Sequence, residues 1–284
     1  MKLKAYAKVN PHLKITGVRE DGYHLLDISY LAIDLHDSLT LSKVKGKGIT
    51  VASSAPIKVE ENLCYRAARA LKEASRSPKG VHIELRKNIP IGAGLGGGSS
   101  DAAATLVGLN QLWETDLPRR ELVHLGKELG ADVPFFLFGG YCKGGGTGVQ
   151  IEPARNRFHG RTLLIVDPPF SLSTPQVYRN YDDLKKEGKV FDGGKNDLQK
   201  AALKLKPKLK DYLHLLERNS AIEGEMISGS GSALFGFVKK SWKKGKRELR
   251  ATLSYGLEKE GLRGEIFTAK PVECGQEIVH SKHK

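Results

Sequence analysis

The segment PIGAGLGGGSSDAAA (residues 90–104) contains five glycines within seven positions and continues directly into serines, an aspartate and alanines. Glycine loses more conformational freedom on folding than any other residue, so a loop this rich in glycine indicates a ligand that must contact bare backbone. The alanines that follow strongly favour a helix. Backbone amides and the dipole at a helix N-terminus together attract phosphate oxygens. The segment therefore predicts a phosphate-binding loop at the start of a helix.

Three arrangements of glycine-rich backbone bind phosphate, and the spacing of this loop distinguishes them. A P-loop needs a lysine directly after its last glycine, whereas Ser99 occupies that position. Gly92, Gly94 and Gly97 match the dinucleotide fingerprint G-x-G-x-x-G, which also requires a parallel strand after the helix. Here the helix is predicted to run into a second helix, with Asp116 in the turn between them. A nest of amides at the helix N-terminus is the remaining arrangement, because a plain turn needs only one or two glycines.

Polar side chains close to this loop extend its chemistry. Ser99 and Ser100 place two hydroxyls near the helix cap, where one of them would approach a metal ion, and Asp101 suits the first helical turn. Phosphoryl transfer requires a cradle for a triphosphate, a metal ion and a group that orients or deprotonates the acceptor hydroxyl. Asp132 in GADVPFF (130–136) is the candidate for that group, because the apolar residues after it would exclude water.

The surrounding pattern predicts the elements that position these residues. The segments KLKAYAKV, HLKITGV and LLDISYLAIDL alternate like β-strands, and REDGYH (19–24) forms the turn between the last two. A strand over 80–90 precedes the glycine loop, and helices over about 99–113 and 118–129 follow it. A second half, richer in helix, begins with the buried strand RTLLIVDPPF. The loop EPARNRFHG, near residues 150–160, marks the predicted boundary between the halves.

Length and composition restrict the class of protein. The chain has 284 residues, of which 39% are hydrophobic and 27% charged, as in a soluble globular protein of one large domain or two ordinary ones. No apolar run approaches the ~20 residues of a membrane span. The N-terminus lacks a signal-peptide pattern, so we expect a cytoplasmic protein. Cys64, Cys142 and Cys274 lie too far apart for a zinc motif or a disulfide framework. The net charge of +14 favours an anionic partner.

Taken together, the motifs resemble the GHMP kinases, the superfamily of galactokinase and of homoserine, mevalonate and phosphomevalonate kinases. The glycine segment is similar to the family's ATP loop, AKVNPHLKITGVREDGYH (7–24) to its first motif, and GEMISGSGSALFGF (224–237) to its third. The combination of DGYH with GADVPFF is more specific than the glycine loop alone. The resemblance implies two α+β lobes with a cleft between them, a ribosomal-protein-like N-terminal domain (1–155) and a ferredoxin-like C-terminal domain (156–284).

The resemblance also implies a role for individual residues. Asp132 would face the acceptor hydroxyl, with Lys8 as its partner, and the residues leave open whether Asp132 removes the proton or only orients the hydroxyl. The implied ATP-binding residues are Asn62, Pro90, Gly92, Gly94, Leu95, Gly96, Gly97, Gly98, Ser99, Ser100 and Asp101. Asn62 has a second interpretation as the N-cap of its helix. The implied substrate-binding residues are Asn10, Tyr23, His24, Tyr178, Gly229, Ser230 and Gly231.

The implied acceptor is a small molecule that carries a cytidine diphosphate group. Tyr23 and Tyr178 would stack on its base, His24 would contact the edge of the base, and Asn10 would hold a substrate hydroxyl. Residues 228–232, SGSGS, would approach phosphates.

The reaction that the resemblance implies is ATP-dependent phosphorylation of the 2-hydroxyl of a methylerythritol unit, in non-mevalonate isoprenoid precursor synthesis. It would use Mg²⁺ as cofactor, with unknown metal ligands. We expect a monomer or weak dimer with no nucleic-acid or membrane partner. Two other functions stay open at this point. One is a mevalonate- or homoserine-type kinase of the same superfamily, and the other is a non-enzymatic RNA-binding module, which the positive charge would suit.

Overall fold

Two β-sheets organise the part of the chain that the computed structural model describes, residues 1–189 and 194–279. The first sheet has seven strands: β1 (Lys2–Val18), β2 (His24–Val44), β3 (Ile49–Ser53), β4 (Gly80–Arg86), β5 (Tyr141–Gly145), β6 (Gln150–Pro153) and β11 (Gln276–Val279). Its main path runs β11-β1-β2-β4-β3, and β5 joins β6 to β2. β1 and β2 form the long hairpin that the alternating N-terminal segments predict, with REDGYH at its turn.

The second sheet has four antiparallel strands, β7 (Leu163–Asp167), β8 (Ile222–Ile227), β9 (Leu234–Val238) and β10 (Glu265–Ala269). Their order across the sheet is β10-β7-β9-β8. Helices connect β7 to β8 and β9 to β10, which gives the β-α-β-β-α-β arrangement of a ferredoxin-like fold. The predicted α+β fold with a ferredoxin-like C-terminal lobe is therefore confirmed.

Eight α-helices pack on these sheets in the described part of the chain. They are α1 (Leu63–Ser75), α2 (Gly97–Leu112), α3 (Arg119–Leu129), α4 (Val133–Phe138), α5 (Thr174–Lys186), α6 (Gln199–Leu205), α7 (Leu209–Glu217) and α8 (Lys246–Lys259). A short 3₁₀ turn, Val59–Glu61, precedes α1. The two helices expected after the glycine loop are α2 and α3, and α2 begins two residues earlier than predicted because Gly97 and Gly98 are already helical.

Helix α2 lies at the centre of the N-terminal half because its side chains are small. Ala102, Ala103 and Ala104 are completely buried, and α2 contacts both β1 and β2. At Gly108 a β-carbon would lie 2.6 Å from Leu41 Cδ1, so this glycine sets the close approach of the helix to the sheet. The start of α2, and with it the glycine loop, is thereby fixed against the strand that carries Lys8.

The two halves of the chain share one sheet and one part of the core. The predicted division at residues 155/156 assigns every strand to the half that contains its sheet, with the exception of β11. This strand belongs to the C-terminal half but pairs antiparallel with β1 in the first sheet, with Lys2 opposite Val279. A cluster of buried side chains joins Val9 and Leu31 of the first sheet to Ile165 and Phe235 of the second. The domain limits stay a prediction, and the last five residues, 280–284, lie outside the described chain.

Candidate active site

The glycine loop crosses from β4 to the N-terminus of α2 in a conformation that depends on glycine. Gly92, Gly94 and Gly96 have φ values of +72°, +78° and +74°, which side chains with a β-carbon rarely adopt. Gly96 caps α2 and supplies no side chain to the free amides of its first turn. Those amides are available to an anion, because a helix leaves its first N–H groups without internal partners.

Backbone hydrogen bonds hold the glycine loop from two sides. The Lys8 amide of β1 donates to the Leu95 carbonyl at 2.9 Å, and the Ala233 amide donates to the Ala93 carbonyl at 3.0 Å. A β-carbon at Gly94 would lie 2.5 Å from the Ser228 carbonyl oxygen, so only glycine fits there. The glycine loop and the loop 228–232 of the C-terminal lobe are thus in direct contact.

A lysine and an aspartate face each other beside this contact. Lys8 lies on β1 and Asp132 immediately precedes α4, and Lys8 Nζ lies 3.4 Å from Asp132 Oδ2. The Lys8 side chain is 5% exposed and that of Asp132 is 30% exposed. Lys8 Nζ also donates to Asn10 Oδ1 at 2.6 Å, and Asn10 Nδ2 donates to the Ser29 carbonyl at 3.1 Å. Alternate positions on one strand therefore hold the ammonium group towards the carboxylate.

Two tyrosines close to Asp132 complete this part of the site. Burial raises the pKa of the Tyr30 phenol well above its ordinary value, and the charge of Asp132 raises it further. Burial and the same carboxylate raise the pKa of Tyr178 to about 12. Both phenols are therefore neutral at physiological pH, and Tyr30 donates its hydrogen to the Gly148 carbonyl.

An aromatic group lies at the other end of the same cavity. The rings of His24 and Tyr178 are 4.7 Å apart between centroids and inclined by 36°. His24 Nε2 lies 2.7 Å from Asp182 Oδ1 on α5. Tyr23, on the turn between β1 and β2, is 65% exposed. Tyr23 and Tyr178 line the same cavity, so two aromatic rings are available there to a flat group.

Two adjoining cavities bring most of the predicted residues together. A cavity of about 710 Å³ is lined by Lys8, Asn10, Tyr23, His24, Asp132, Tyr178, Gly229 and Ser230. A second, of about 320 Å³, is lined by Asn62, Pro90, Gly92, Leu95, Gly97, Gly98 and Asp101. Gly94, Gly96 and Ser99 line both. The glycine loop is therefore the wall between the two spaces.

Two predicted residues lie outside both linings. Ser100 is fully buried, and its Oγ has no hydrogen-bond partner in the described chain. At Gly231, a β-carbon would lie 3.0 Å from an Ile227 side-chain carbon, so this glycine allows close packing inside the loop. Asn62 lines the second cavity, but its Oδ1 also accepts from the Cys64 amide at 2.9 Å. It caps α1, which was the second interpretation of this residue.

A buried group of charges beneath the glycine loop was not predicted from the sequence. Lys87 Nζ donates to Asp101 Oδ2 at 2.7 Å and to Asp37, and all three side chains are at most 8% exposed. Asp37 Oδ1 also accepts from the Ile89 amide at 2.8 Å. Burial lowers the pKa of Lys87, but the charges of Asp101 and Asp37 outweigh it and raise the pKa. These ion pairs therefore connect three elements: Lys87 follows β4, Asp37 lies on β2, and Asp101 lies in the first turn of α2.

These features together define a class of enzyme. Amides at a helix start can hold the phosphates of a nucleotide in one space, and a lysine–aspartate pair in the next space can act on a hydroxyl group. On this two-sheet fold, that is the arrangement of a GHMP kinase. The chain matches the GHMP kinases N terminal domain over residues 62–140.

Comparison with known proteins narrows the class. The chain is 41% identical over 254 residues to the 4-diphosphocytidyl-2-C-methyl-D-erythritol kinase of Polaromonas naphthalenivorans (strain CJ2), covering 82% of this chain and 84% of that protein. It is 38% identical over 265 residues to the same enzyme of Pseudarthrobacter chlorophenolicus, covering 81% and 82%. The chain belongs to the 4-diphosphocytidyl-2-C-methyl-D-erythritol kinase family of GHMP kinases, and it is an ATP-dependent small-molecule kinase.

Solved structures agree with this assignment. A crystal structure of 4-(cytidine 5'-diphospho)-2C-methyl-D-erythritol kinase superimposes with a TM-score of 0.75 at 33% identity, covering 95% of this chain and 99% of that one. The mevalonate kinase of Methanococcus jannaschii superimposes with a TM-score of 0.68 at 17% identity, covering 96% and 98%, and shares the fold. No helix in residues 1–189 and 194–279 is long and apolar enough to cross a membrane.

Proposed function

We propose that this protein transfers the γ-phosphoryl group of ATP to the 2-hydroxyl of 4-diphosphocytidyl-2-C-methyl-D-erythritol, in the non-mevalonate synthesis of isoprenoid precursors. The observation that carries the proposal is the ion pair of Lys8 and Asp132 in a cavity that also contains the His24–Tyr178 ring pair. One space thus offers both a carboxylate for an alcohol and an aromatic surface for a base.

The donor nucleotide would lie across the glycine loop. Its phosphates would accept from the free amides at the start of α2, and its nucleoside would occupy the cavity of about 320 Å³. Gly94, Gly96 and Ser99 line both cavities, so a γ-phosphate held there would face the acceptor. Because Gly94 and Gly96 have no side chains, the wall between the two cavities is thin, and donor and acceptor can come close to each other.

The acceptor would lie with its base between Tyr23 and Tyr178 and with its methylerythritol unit at Asp132. Stacking on an aromatic ring contributes about 1–3 kcal/mol per base. Asn10 would hold a substrate hydroxyl, although its Oδ1 already accepts from Lys8. Gly229 and Ser230 line the same cavity and would approach a phosphate.

In the transfer step, Asp132 would accept the proton of the 2-hydroxyl as its oxygen bonds to the γ-phosphorus. The bond between that phosphorus and the β–γ bridging oxygen breaks, and ADP leaves. Lys8 Nζ would stabilise the negative charge that grows on the acceptor oxygen. Because Lys8 is almost completely buried, its charge acts at short range with little screening by water.

A magnesium ion fits this site as a companion of the phosphates. The described residues contain no cluster of three or more His, Cys, Asp or Glu suited to holding a metal. Magnesium in kinases needs only one or two protein oxygens in addition to phosphate and water. The Ser99 hydroxyl lines the same cavity as Asp132 and is the candidate ligand from the chain. The ion would neutralise charge on the phosphates during transfer.

The test is turnover of a panel of acceptors with ATP, measured by coupled ADP release. We expect turnover of 4-diphosphocytidyl-2-C-methyl-D-erythritol and none of mevalonate, homoserine or galactose. Turnover of one of those three alone would instead support the alternative, a different GHMP kinase. Dependence on added Mg²⁺ after chelation tests the cofactor in the same assay.

The remaining proposals concern the protein in solution. We propose a cytoplasmic monomer or weak dimer of two domains, 1–155 and 156–284, whose charge of +14 serves anionic substrates rather than nucleic acid. Sedimentation gives the oligomeric state, and binding to a mixed RNA pool at two salt concentrations tests the RNA-binding alternative. Tight, steeply salt-dependent RNA binding without ADP release would favour that alternative.

A further inference from the structure

The contact between His24 and Asp182 joins two distant parts of the chain in the larger cavity. His24 begins β2, Asp182 lies on α5, and their side chains meet with Nε2 2.7 Å from Oδ1. The His24 side chain is 10% exposed and that of Asp182 is 38% exposed. Tyr181 adds an edge-on contact to the His24 ring at 6.1 Å, in addition to the Tyr178 contact. The imidazole therefore has one fixed position, set by three residues of α5.

The partner of Nε2 decides which nitrogen of the ring carries the proton. An ionised carboxylate only accepts hydrogen bonds, so Nε2 must be the donor to Asp182. In the neutral ring, Nδ1 is then a bare acceptor. In the described part of the chain, His24 Nδ1 has no hydrogen-bond partner, and His24 lines the cavity of about 710 Å³. The site thus offers an acceptor to whatever occupies that end of the cavity.

We propose that Asp182 is a specificity-determining positioning residue, which holds His24 in the Nε2–H form so that Nδ1 accepts from the exocyclic amino group of cytosine. The inference rests on the proposed function, since it assumes that a pyrimidine nucleotide lies against His24. Uracil has a carbonyl oxygen where cytosine has the amino group, so two acceptors would face each other. Such a pairing disfavours the wrong base strongly, because both lone pairs lose their solvent without gaining a hydrogen bond.

A structural cross-link is the competing interpretation of the same contact. It would stabilise the contact between the β1–β2 turn and α5 without any preference between bases. Loss of such a contact would lower the affinities for cytidine and uridine nucleotides equally. The ratio of affinities for two bases therefore separates the interpretations, whereas a change in stability does not.

The experiment compares the wild type with Asp182→Asn, using Asp183→Asn as the matched control. Asp183 is the exposed neighbour on the same helix and does not line the cavity. The probes are cytidine 5'-diphosphate and uridine 5'-diphosphate, with affinities measured by calorimetry. An asparagine amide can either accept from Nε2–H or donate to a bare Nε2, so the neutral ring is no longer confined to the Nε2–H form. Part of the population then carries its proton on Nδ1, which is a donor suited to uracil.

We expect the wild type to prefer the cytidine nucleotide by about tenfold or more, and Asp182→Asn to lose about tenfold of that preference. Affinity for ATP should be unchanged, and Asp183→Asn should match the wild type. Nitrogen-15 spectra, with the His24 signal assigned from His24→Ala, should show Nε2–H in the wild type and an Nδ1–H population in Asp182→Asn.

The proposal would be overturned if Asp182→Asn lowered the affinities for both nucleotides equally or left their ratio unchanged. An Nδ1–H tautomer in the wild type would also overturn it. The proposed function is judged separately, by turnover in the acceptor panel. A wild type that selects the cytidine nucleotide but does not phosphorylate the methylerythritol substrate would contradict the function and leave this inference standing.

Discussion

Lys8 Nζ lies 3.4 Å from Asp132 Oδ2, with the lysine almost fully buried and the carboxylate partly open to the cavity. The ammonium group is held on its other side by Asn10 Oδ1. Asp132 has no capping hydrogen bond to α4, although it occupies the N-cap position. Its carboxylate is therefore directed to Lys8 and the cavity rather than to its own helix.

Replacing either member of this pair should act on the chemical step. We expect Asp132→Asn to lower kcat by about 10²–10⁴-fold, the usual contribution of a positioned acid or base, with smaller changes in either KM. Lys8→Met should have a similar effect, and the double variant should be little worse than either single one, because the two groups act as a unit. Coupled ADP release measures all three. Near-normal turnover by Asp132→Asn would remove it from the mechanism.

Gly94→Ala should separate the glycine loop from the loop of residues 228–232. The added β-carbon would lie 2.5 Å from the Ser228 carbonyl oxygen, at a φ of +78° that alanine rarely adopts. We expect a rise of about tenfold or more in the KM for ATP and a loss of about 1–3 kcal/mol in the free energy of unfolding. Gly48→Ala is the control, because a β-carbon there meets nothing within 4 Å. Equal behaviour of the two variants would contradict the argument.

The charges beneath the loop should be sensitive to the loss of one partner. Lys87→Met leaves Asp37 and Asp101 buried without their shared cation, and we expect it to cost about 3–5 kcal/mol of stability in denaturant unfolding. The pKa of Lys87 is raised, so its contribution is complete at neutral pH and is lost only as pH rises through that raised value. Adding Asp101→Asn to Lys87→Met should recover part of the loss. A double variant less stable than Lys87→Met would show that charge is not the cause.

Asp167→Asn should stabilise the second sheet at neutral pH. Asp167 ends β7 directly opposite Glu265 of β10, and burial together with this like charge raises the pKa of Asp167 to about 6. A raised carboxyl pKa means that the folded protein gains stability as pH falls through about 6 towards the ordinary value of 3.8.

We expect the variant to gain about 1 kcal/mol, or about 2 °C in Tm, at pH 7.5, a figure reduced for partial exposure of the group. The gain should disappear near pH 4.5, where the wild-type carboxyl is protonated in the fold. Thermal unfolding at the two pH values measures the difference. A gain that persists at the lower pH would contradict the electrostatic explanation.

Local patterns in the sequence were sufficient to predict the glycine loop and the β1–β2 hairpin. The glycine spacing indicated a loop of bare backbone at the start of a helix, and the alternation indicated β1 and β2. These features depend on neighbouring residues only, so one sequence contains the information. The family resemblance then linked Lys8 to Asp132, which are 124 positions apart.

The polar contacts that support the site could not be found in this way. Lys87 and Asp37 are 50 positions apart, and His24 and Asp182 are 158 apart. Each residue taken alone is an ordinary charged group. The pairing of β2 with β4 brings Asp37 to Lys87, and the packing of α5 brings Asp182 to His24. Asn196 is a further example, because its Nδ2 donates to the carbonyls of Ile227 and Gly229 at the start of the loop of residues 228–232.

The return of β11 to the first sheet has a consequence for biosynthesis. Lys2 of β1 pairs with Val279 of β11, so β1 lacks its outer neighbour until the ribosome has also synthesised the residues between them, which include the whole second sheet. Until then that side of β1 exposes unpaired peptide groups, the usual starting point for association between nascent chains. The strand that bears Lys8 thus acquires its edge protection late, after the ferredoxin-like lobe has been synthesised.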